Sequence, residues 1–186
     1  MDVKEVIHRR RAYRSLNPVK ITEDLIEDLA ECAQLAASCF NNQPWRFVFV
    51  HDPQVLREMH GALSKGNEWI HYASMIVVVF TKKDLDCVVK GREYYLFDAG
   101  MATAQMILRA TELGMVAHPI AGFHEDKVKE ILGIPKDMTV ITLVNFGKKR
   151  DQLRPVLSQK QREWERERPE RLPLEKFVHI NSYGGE

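Results

Sequence analysis

Apolar positions along this chain switch between a helical period and unbroken runs, and the switching sets an expected order of elements. Val3, Val6 and Ile7 form a short helical stripe behind Asp2 and Glu5, a capping-box-like pair, and predict a helix over residues 3–11. Asn17-Pro18 breaks the chain, and Thr22 followed by Glu23 and Asp24 caps a second helix. Leu25, Ile26, Leu29, Ala33 and Ala36 give that helix one buried face. Phe47-Val48-Phe49-Val50 predicts a strand over residues 45–51, and Asp52-Pro53 opens a third helix that runs to residue 63. The run Met75 to Phe80 is the most apolar strand, spanning residues 74–81, with a polar surface excursion over 82–90. The longest helix is expected over residues 92–113, stopping at Gly114, with small residues on several faces as in a central or dimer-interface helix. A strand over 115–120, a helix over 125–132 ending at Gly133, and a strand over 139–146 closing at Gly147 follow. Beyond Gly147 lies a charged stretch over 159–168, stopped by Pro169, and a last strand is expected over 176–180. Strands alternating with helices predict an α/β or α+β sandwich with a mixed sheet, in one domain covering residues 1–186.

Composition narrows the function classes. A net charge of +1 leaves no protein-wide electrostatic footprint for nucleic acid, so any anion site must be a local cluster. No apolar run has membrane-spanning length, and Met1-Asp2-Val3-Lys4-Glu5 carries no signal-peptide core, so no membrane association is expected. Cys32, Cys39 and Cys87 are odd in number and lack ligand spacing, and the histidines show no HExxH pattern. A reducing cytoplasmic setting and no metal site are the expectation.

Three stretches carry candidate chemistry. Ala36-Ala37-Ser38-Cys39-Phe40-Asn41-Asn42-Gln43-Pro44-Trp45 joins a helix to a strand with amides and hydroxyls on rigid flanks, where ligand groups are commonly held; Pro44 biases Gln43 toward an extended backbone. Arg9-Arg10-Arg11-Ala12-Tyr13-Arg14 is the dense positive cluster near the N-terminus. It reads first as solvated charge at a helix C-terminus, then as a nucleic-acid contact, which the near-neutral chain disfavours, or as a forked grip on one phosphate or anionic ring. His118-Pro119-Ile120-Ala121-Gly122-Phe123 ends a strand with a glycine that lets a bare N–H approach a flat ligand, or serves as a simple turn.

In this order the basic motif, Ser-x-x-Asn-x-Gln-Pro-Trp, Asp98-x-Gly100, Pro-Ile-x-Gly-Phe and Arg171-Leu172-Pro173-Leu174-Glu175 resemble the FMN-dependent nitroreductase family, over the chain to Val178. The resemblance implies an α+β three-layer sandwich with a mixed, mainly antiparallel central sheet and helices on both faces. It implies a homodimer whose C-terminal arm, residues 148–186, reaches across to the partner, with FMN at the dimer interface. It further implies ping-pong transfer of electrons from NADH or NADPH through flavin N5 to a small organic acceptor of nitroaromatic or quinone type. Carried over by residue, Arg10, Arg11, Ala12, Arg14 and Arg171 fall at the FMN phosphate, ribityl chain or pyrimidine edge. Ser38, Cys39, Asn41 and Gln43 line the flavin from the other subunit. Asn67 touches the ring, and Pro119, Ile120, Ala121 and Gly122 lie beside it, with the Gly122 N–H aimed at N5.

The chain departs from the family pattern at Ala12 and Cys39, where serines are common, at Ala37, a frequent proline, and at Ala121, an acidic position in some members. These changes bear on acceptor choice more than on the phosphate pocket. No acid–base dyad is expected, because the cofactor carries the difficult step. Cys39 invites a redox-thiol reading, but the sequence offers no resolving partner. The rival readings are a specialised flavoenzyme, reductive dehalogenase-like or flavin-consuming, and a non-enzymatic anion-binding module.

Overall fold

A computed structural model describes residues 1–184. In chain order the elements are α1 (Val3–Arg9), β1 (Leu16–Asn17), α2 (Glu23–Gln34), β2 (Arg46–Val50), α3 (Pro53–His60), β3 (Met75–Thr81), β4 (Val88–Val89), β5 (Arg92–Glu93), α4 (Tyr95–Glu112), β6 (Val116–Ile120), α5 (Glu125–Leu132), β7 (Thr139–Lys149) and α6 (Gln159–Arg166). The long β7 is the spine of the sheet. It pairs β3 on one side and β6 on the other, β2 extends the sheet beyond β3, and β1 pairs the far end of β7. A mixed sheet was expected, yet every one of these pairings is antiparallel. The alternation has a topological cause: α4 carries the chain from β3 to β6 as a crossover would, and both strands run the same way. β7 then inserts between them in the opposite direction, so the parallel pair never touches.

β3 shows why the sandwich has three layers. All seven of its residues are buried, and successive side chains of a strand point to opposite faces. Met75, Val77 and Val79 pack with Leu29 and Ala33 of α2 and with Ala99, Ala102 and Met106 of α4. Ile76, Val78 and Phe80 pack with Met59 of α3 and Val128 of α5. Helices therefore cover both faces, giving the α+β sandwich expected from the resemblance.

The caps fall where the sequence places them. Asp2 accepts from the Glu5 N–H at 2.8 Å, Thr22 Oγ1 from Leu25 N–H at 3.2 Å, and Asp52 from Gln54 and Val55 at 2.8 and 3.1 Å. Gly133 closes α5 in the left-handed region, at φ 65°.

Several boundaries differ from expectation. α1 ends at Arg9, because residues 10–15 straighten to feed β1, an element with too few residues to show a period. α3 stops at His60, three residues early. α4 starts at Tyr95, since Arg92 and Glu93, expected in the helix, instead pair with Val88 and Val89 in a small hairpin that extends the excursion to residue 93. β7 runs through Gly147 to Lys149, drawn on by its pairing with Leu16 and Asn17. The strand expected over 176–180 is absent: Leu174–Lys176 is a single 3-10 turn. Phe177, Val178 and Ile180 are exposed there and pair with no strand among the described residues.

β6 also brings a buried histidine under the site. His118 is 5% exposed, stacks on Trp69 at 4.6 Å, and its Nδ1 lies 3.0 Å from the Tyr13 carbonyl. Burial drives its pKa down to about 4; the Tyr13 bond opposes that, while Arg14 and Arg10 add to it. The unfolded chain therefore takes up this proton first as pH falls from 6.5 toward 4, and stability drops across that window. At about 1.4 kcal/mol per pH unit, His118 costs on the order of 2 kcal/mol between pH 7 and pH 5. Burial holds His60 near 4 as well, so urea unfolding of the protein and of His118→Asn at the two pH values checks this; an equal pH dependence in the two contradicts it.

Candidate functional site

The two ends of the chain meet. After α1 the extended residues 10–15 lie against α6 and the segment that follows it, and hydrogen bonds clamp the two together. The Arg11 guanidinium donates to the Trp164 carbonyl at 2.6 Å. The buried Glu165 carboxylate accepts from the backbone N–H of Arg14 at 2.6 Å and of Ser15 at 3.0 Å. Arg168 donates to the carbonyls of His8 and Arg10 at 2.6 and 2.9 Å. Arg14 lies over the Trp164 ring, 5.4 Å from its centroid.

The clamp encloses a cavity of about 110 Å³ with Arg10, Arg11 and Arg14 on one wall and Arg168 and Arg171 on the other, completed by Ala12, Trp164 and Pro169. Burial holds the Arg10 guanidinium below its ordinary pKa, and the positive charges of Arg168, Arg171 and Arg11 push it further down. Burial lowers Arg14 too, with Glu165 opposing. Among the described residues, the guanidiniums of Arg10, Arg14 and Arg171 donate to no protein acceptor, and Glu165 is committed to backbone N–H groups. Crowded cations with free forked donors fit a phosphate dianion, which takes several charge-assisted hydrogen bonds at once.

Beside this cavity lies the end of β6. The Gly122 carbonyl accepts from Asn67 Nδ2 at 2.9 Å and from the Ser64 N–H at 3.0 Å. Its own N–H meets no protein acceptor among the described residues, which leaves a backbone donor fixed and free. A Cβ at Gly122 would sit 2.4 Å from Asn67 Nδ2, so a side chain there has to displace the Asn67 amide. Asn67, expected to touch a ring, spends its amide on holding Gly122. Ile120 is buried in the core, so only its backbone can line a site, whereas Pro119 and Ala121 are exposed. Two contacts bind this region to the arginine cavity: Gln161 Nε2 of α6 to the Gly66 carbonyl at 2.9 Å, and His118 to Tyr13.

Gly122→Ala is expected to force the Asn67 amide off the Gly122 carbonyl and cost about 1–3 kcal/mol, as small-to-large changes in packed sites do. Urea unfolding measures it, and a neutral effect would show that the loop yields freely.

The third stretch is a tight, irregular turn. The Ser38 hydroxyl accepts from the Gln43 N–H at 3.0 Å, and Gln43 Nε2 donates to the Asn41 carbonyl at 3.2 Å. Phe40, Asn41 and Gln43 all adopt positive φ, at 50°, 58° and 49°. The extended backbone expected for Gln43 is therefore wrong; these local hydrogen bonds outweigh the bias that Pro44 imposes. Cys39 also departs from expectation, since it is bonded to Cys87, 48 residues away. The Cys39 N–H donates to the buried Asp98 carboxylate at 2.7 Å.

Of the sequence-derived candidates, Arg10, Arg11, Ala12, Arg14 and Arg171 share one cavity, and Asn67 with Gly122 adjoins it. Ser38, Cys39, Asn41 and Gln43 do not join them within one chain. Their turn leads into β2, at the edge of the main sheet opposite β6 and about 14 Å away at the usual strand spacing. Sequence reasoning missed Glu165, Trp164 and Arg168. Glu165 is one acid among several in a charged run, and nothing in that run marks it as the buried one.

A family profile described as the Nitroreductase family matches residues 7–73 and 64–148. A protein of Archaeoglobus fulgidus, named for an inferred NADH dehydrogenase/NAD(P)H nitroreductase activity, is 30% identical over 152 residues, covering 80% of this chain and 86% of the relative. An oxidoreductase containing FMN has a similar structure, with a TM-score of 0.84 at 27% identity over 100% of this chain and 95% of that one. A nitroreductase-family protein from Clostridium novyi NT gives 0.75 at 28% identity, over 81% and 87% of the two chains.

Proposed function

This chain belongs to the nitroreductase family of oxidoreductases, and from that premise we propose that it is an FMN-dependent NAD(P)H oxidoreductase acting as a homodimer. The observation that carries the reading is the arginine cavity: three unpaired guanidiniums, drawn from both ends of the chain, converge on a space of phosphate size. Arg10, Arg14 and Arg171 hold the FMN phosphate in this reading, and Arg11 and Arg168 keep the walls in place. The anchored, unpaired Gly122 N–H faces the ring, in a cradle that a Cβ would fill. When bound, FMN supplies two-electron transfer between a reduced nicotinamide and an organic acceptor. The chain's task is to orient the ring, leave one face open to each substrate in turn, and offer positive charge where negative charge grows. A ping-pong sequence and a nitroaromatic or quinone acceptor complete the proposal.

Dimerisation supplies what one chain lacks. Leu96 and Phe97 of α4 are exposed, as are Leu172, Leu174 and Phe177 of the arm over residues 148–184. A second copy that covers these residues also delivers the 38–43 turn to the open side of the flavin. No helix of the described residues is long and apolar enough to cross a membrane, and the cytoplasm, where reduced nicotinamides are supplied, is the compartment this reading requires.

Anaerobic titration tests it. Protein carrying FMN is expected to lose its yellow colour with NADH or NADPH and to regain it with a quinone or nitroaromatic. A colourless protein that takes up no FMN, yet binds polyanions in a salt-sensitive way, would instead be an anion-binding module.

A further inference from the structure

We propose that Cys39 and Cys87 form a reversible thiol–disulfide exchange site for small-molecule thiols, whose closed form pins the 38–43 turn to the excursion over residues 82–93. The bridge joins the single turn before β2 to the segment before β4, and both cysteines are half-buried, within reach of solvent. Apart from the bridge, polar contacts hold the excursion to the rest of the chain, Lys82 Nζ to Asp137 Oδ2 at 2.9 Å and Asn42 Nδ2 to Asp86 Oδ1 at 3.2 Å. The two-residue strands and the exposed Lys83–Glu93 pair are internal to it. Opening the bridge therefore loosens both segments together.

The surroundings suit exchange chemistry. Both sulfurs and an Asp86 carboxylate oxygen lie within 4.8 Å of one another. Asp86 Oδ1 accepts from the Cys87 N–H at 2.8 Å, while its Oδ2 is buried without a partner among the described residues. Asp98, buried behind Cys39, has its pKa raised by burial first and then by Asp86, although the Cys39 N–H opposes this. Asp98 therefore holds a proton more readily than an exposed carboxyl does, next to Cys39. An external thiolate attacks one sulfur, the S–S bond breaks, and the departing thiolate takes up that proton. A second external thiol attacks the mixed disulfide. The second departing sulfur takes the proton that this thiol gives up, so the protein ends with two thiols and the external pair ends oxidised to its own disulfide, while solvent returns the first proton to Asp98.

That the loosened turn carries Ser38, Asn41 and Gln43 to or from a flavin rests on the function proposed above; the exchange itself does not. The test uses the whole folded protein, with thiols counted by maleimide mass shift after denaturation. Protein isolated in air is expected to show one thiol, Cys32, rising to three after native incubation with dithiothreitol and returning to one with oxidised glutathione. Amide hydrogen exchange over 38–43 and 82–93 is expected to quicken at least tenfold on reduction, and Cys87→Ser to reproduce that without reductant. Three thiols in the air-isolated protein, a bond that opens only on unfolding, or unchanged hydrogen exchange would overturn the inference. FMN content is recorded in parallel. Protein that exchanges thiols but binds no FMN keeps this inference and sinks the cofactor reading, and a fixed bond with FMN bound does the reverse.

Discussion

Arg10→Ala is expected to weaken FMN binding by about 10- to 100-fold, the loss of one charge-assisted hydrogen bond worth about 1.5–3 kcal/mol. Arg10 is the informative position because its guanidinium is free of protein acceptors and faces Arg168 and Arg171 across the cavity. Removing it leaves the clamp itself intact, since Arg10 contributes only its backbone carbonyl to Arg168. The folded protein should even gain slightly, because a crowded, half-buried cation is gone. A fluorescence titration with FMN, paired with urea unfolding of the protein without FMN, separates the two effects. Weaker binding with unchanged or higher stability supports the phosphate role. Loss of stability with unchanged binding would make Arg10 a structural residue.

Glu165→Ala should do the opposite. The carboxylate satisfies two backbone donors, Arg14 N–H and Ser15 N–H, and Glu165 is only 7% exposed. Leaving both donors unpaired costs about 1–3 kcal/mol each, so a loss of about 2–6 kcal/mol is expected. The same change loosens α6 against the 10–15 segment, leaving the Arg11 and Arg168 contacts to hold it, so FMN affinity falls as well. Glu165→Gln keeps an acceptor oxygen and should recover about half of the stability. Urea unfolding of the three proteins decides the point; a loss under 1 kcal/mol from Glu165→Ala would mean that water satisfies both donors.

Most of the sandwich was legible because its elements announce themselves locally. The apolar run of β3, the Asp52-Pro53 start of α3 and the Gly133 stop of α5 each follow from one or two residues whose backbone preferences are strong. What escaped depends on contacts distant in sequence. β1 is two residues long and exists because β7 offers it an edge, which also carries β7 past Gly147. Phe177, Val178 and Ile180 are apolar as strand residues are, yet a strand needs a partner, and among the described residues they pair with none. At the site, the free arginines were visible by type and position, whereas Glu165, which holds them in place, looks like any other acid of a charged helix. Gln43 failed for a related reason: hydrogen bonds within the turn overrode the rule that a residue before proline extends. The Cys39–Cys87 pairing joins residues 48 apart with no spacing to reveal it.

Riboflavin lacks only the phosphate of FMN, so comparing the two ligands on the same protein isolates what the arginine cavity does. If guanidiniums from both ends of the chain hold that phosphate, the dissociation constant for riboflavin should exceed that for FMN by about 100-fold or more, two charge-assisted bonds at about 1.5 kcal/mol each. Equal dissociation constants would contradict the account, because the cavity would then contribute nothing to flavin binding.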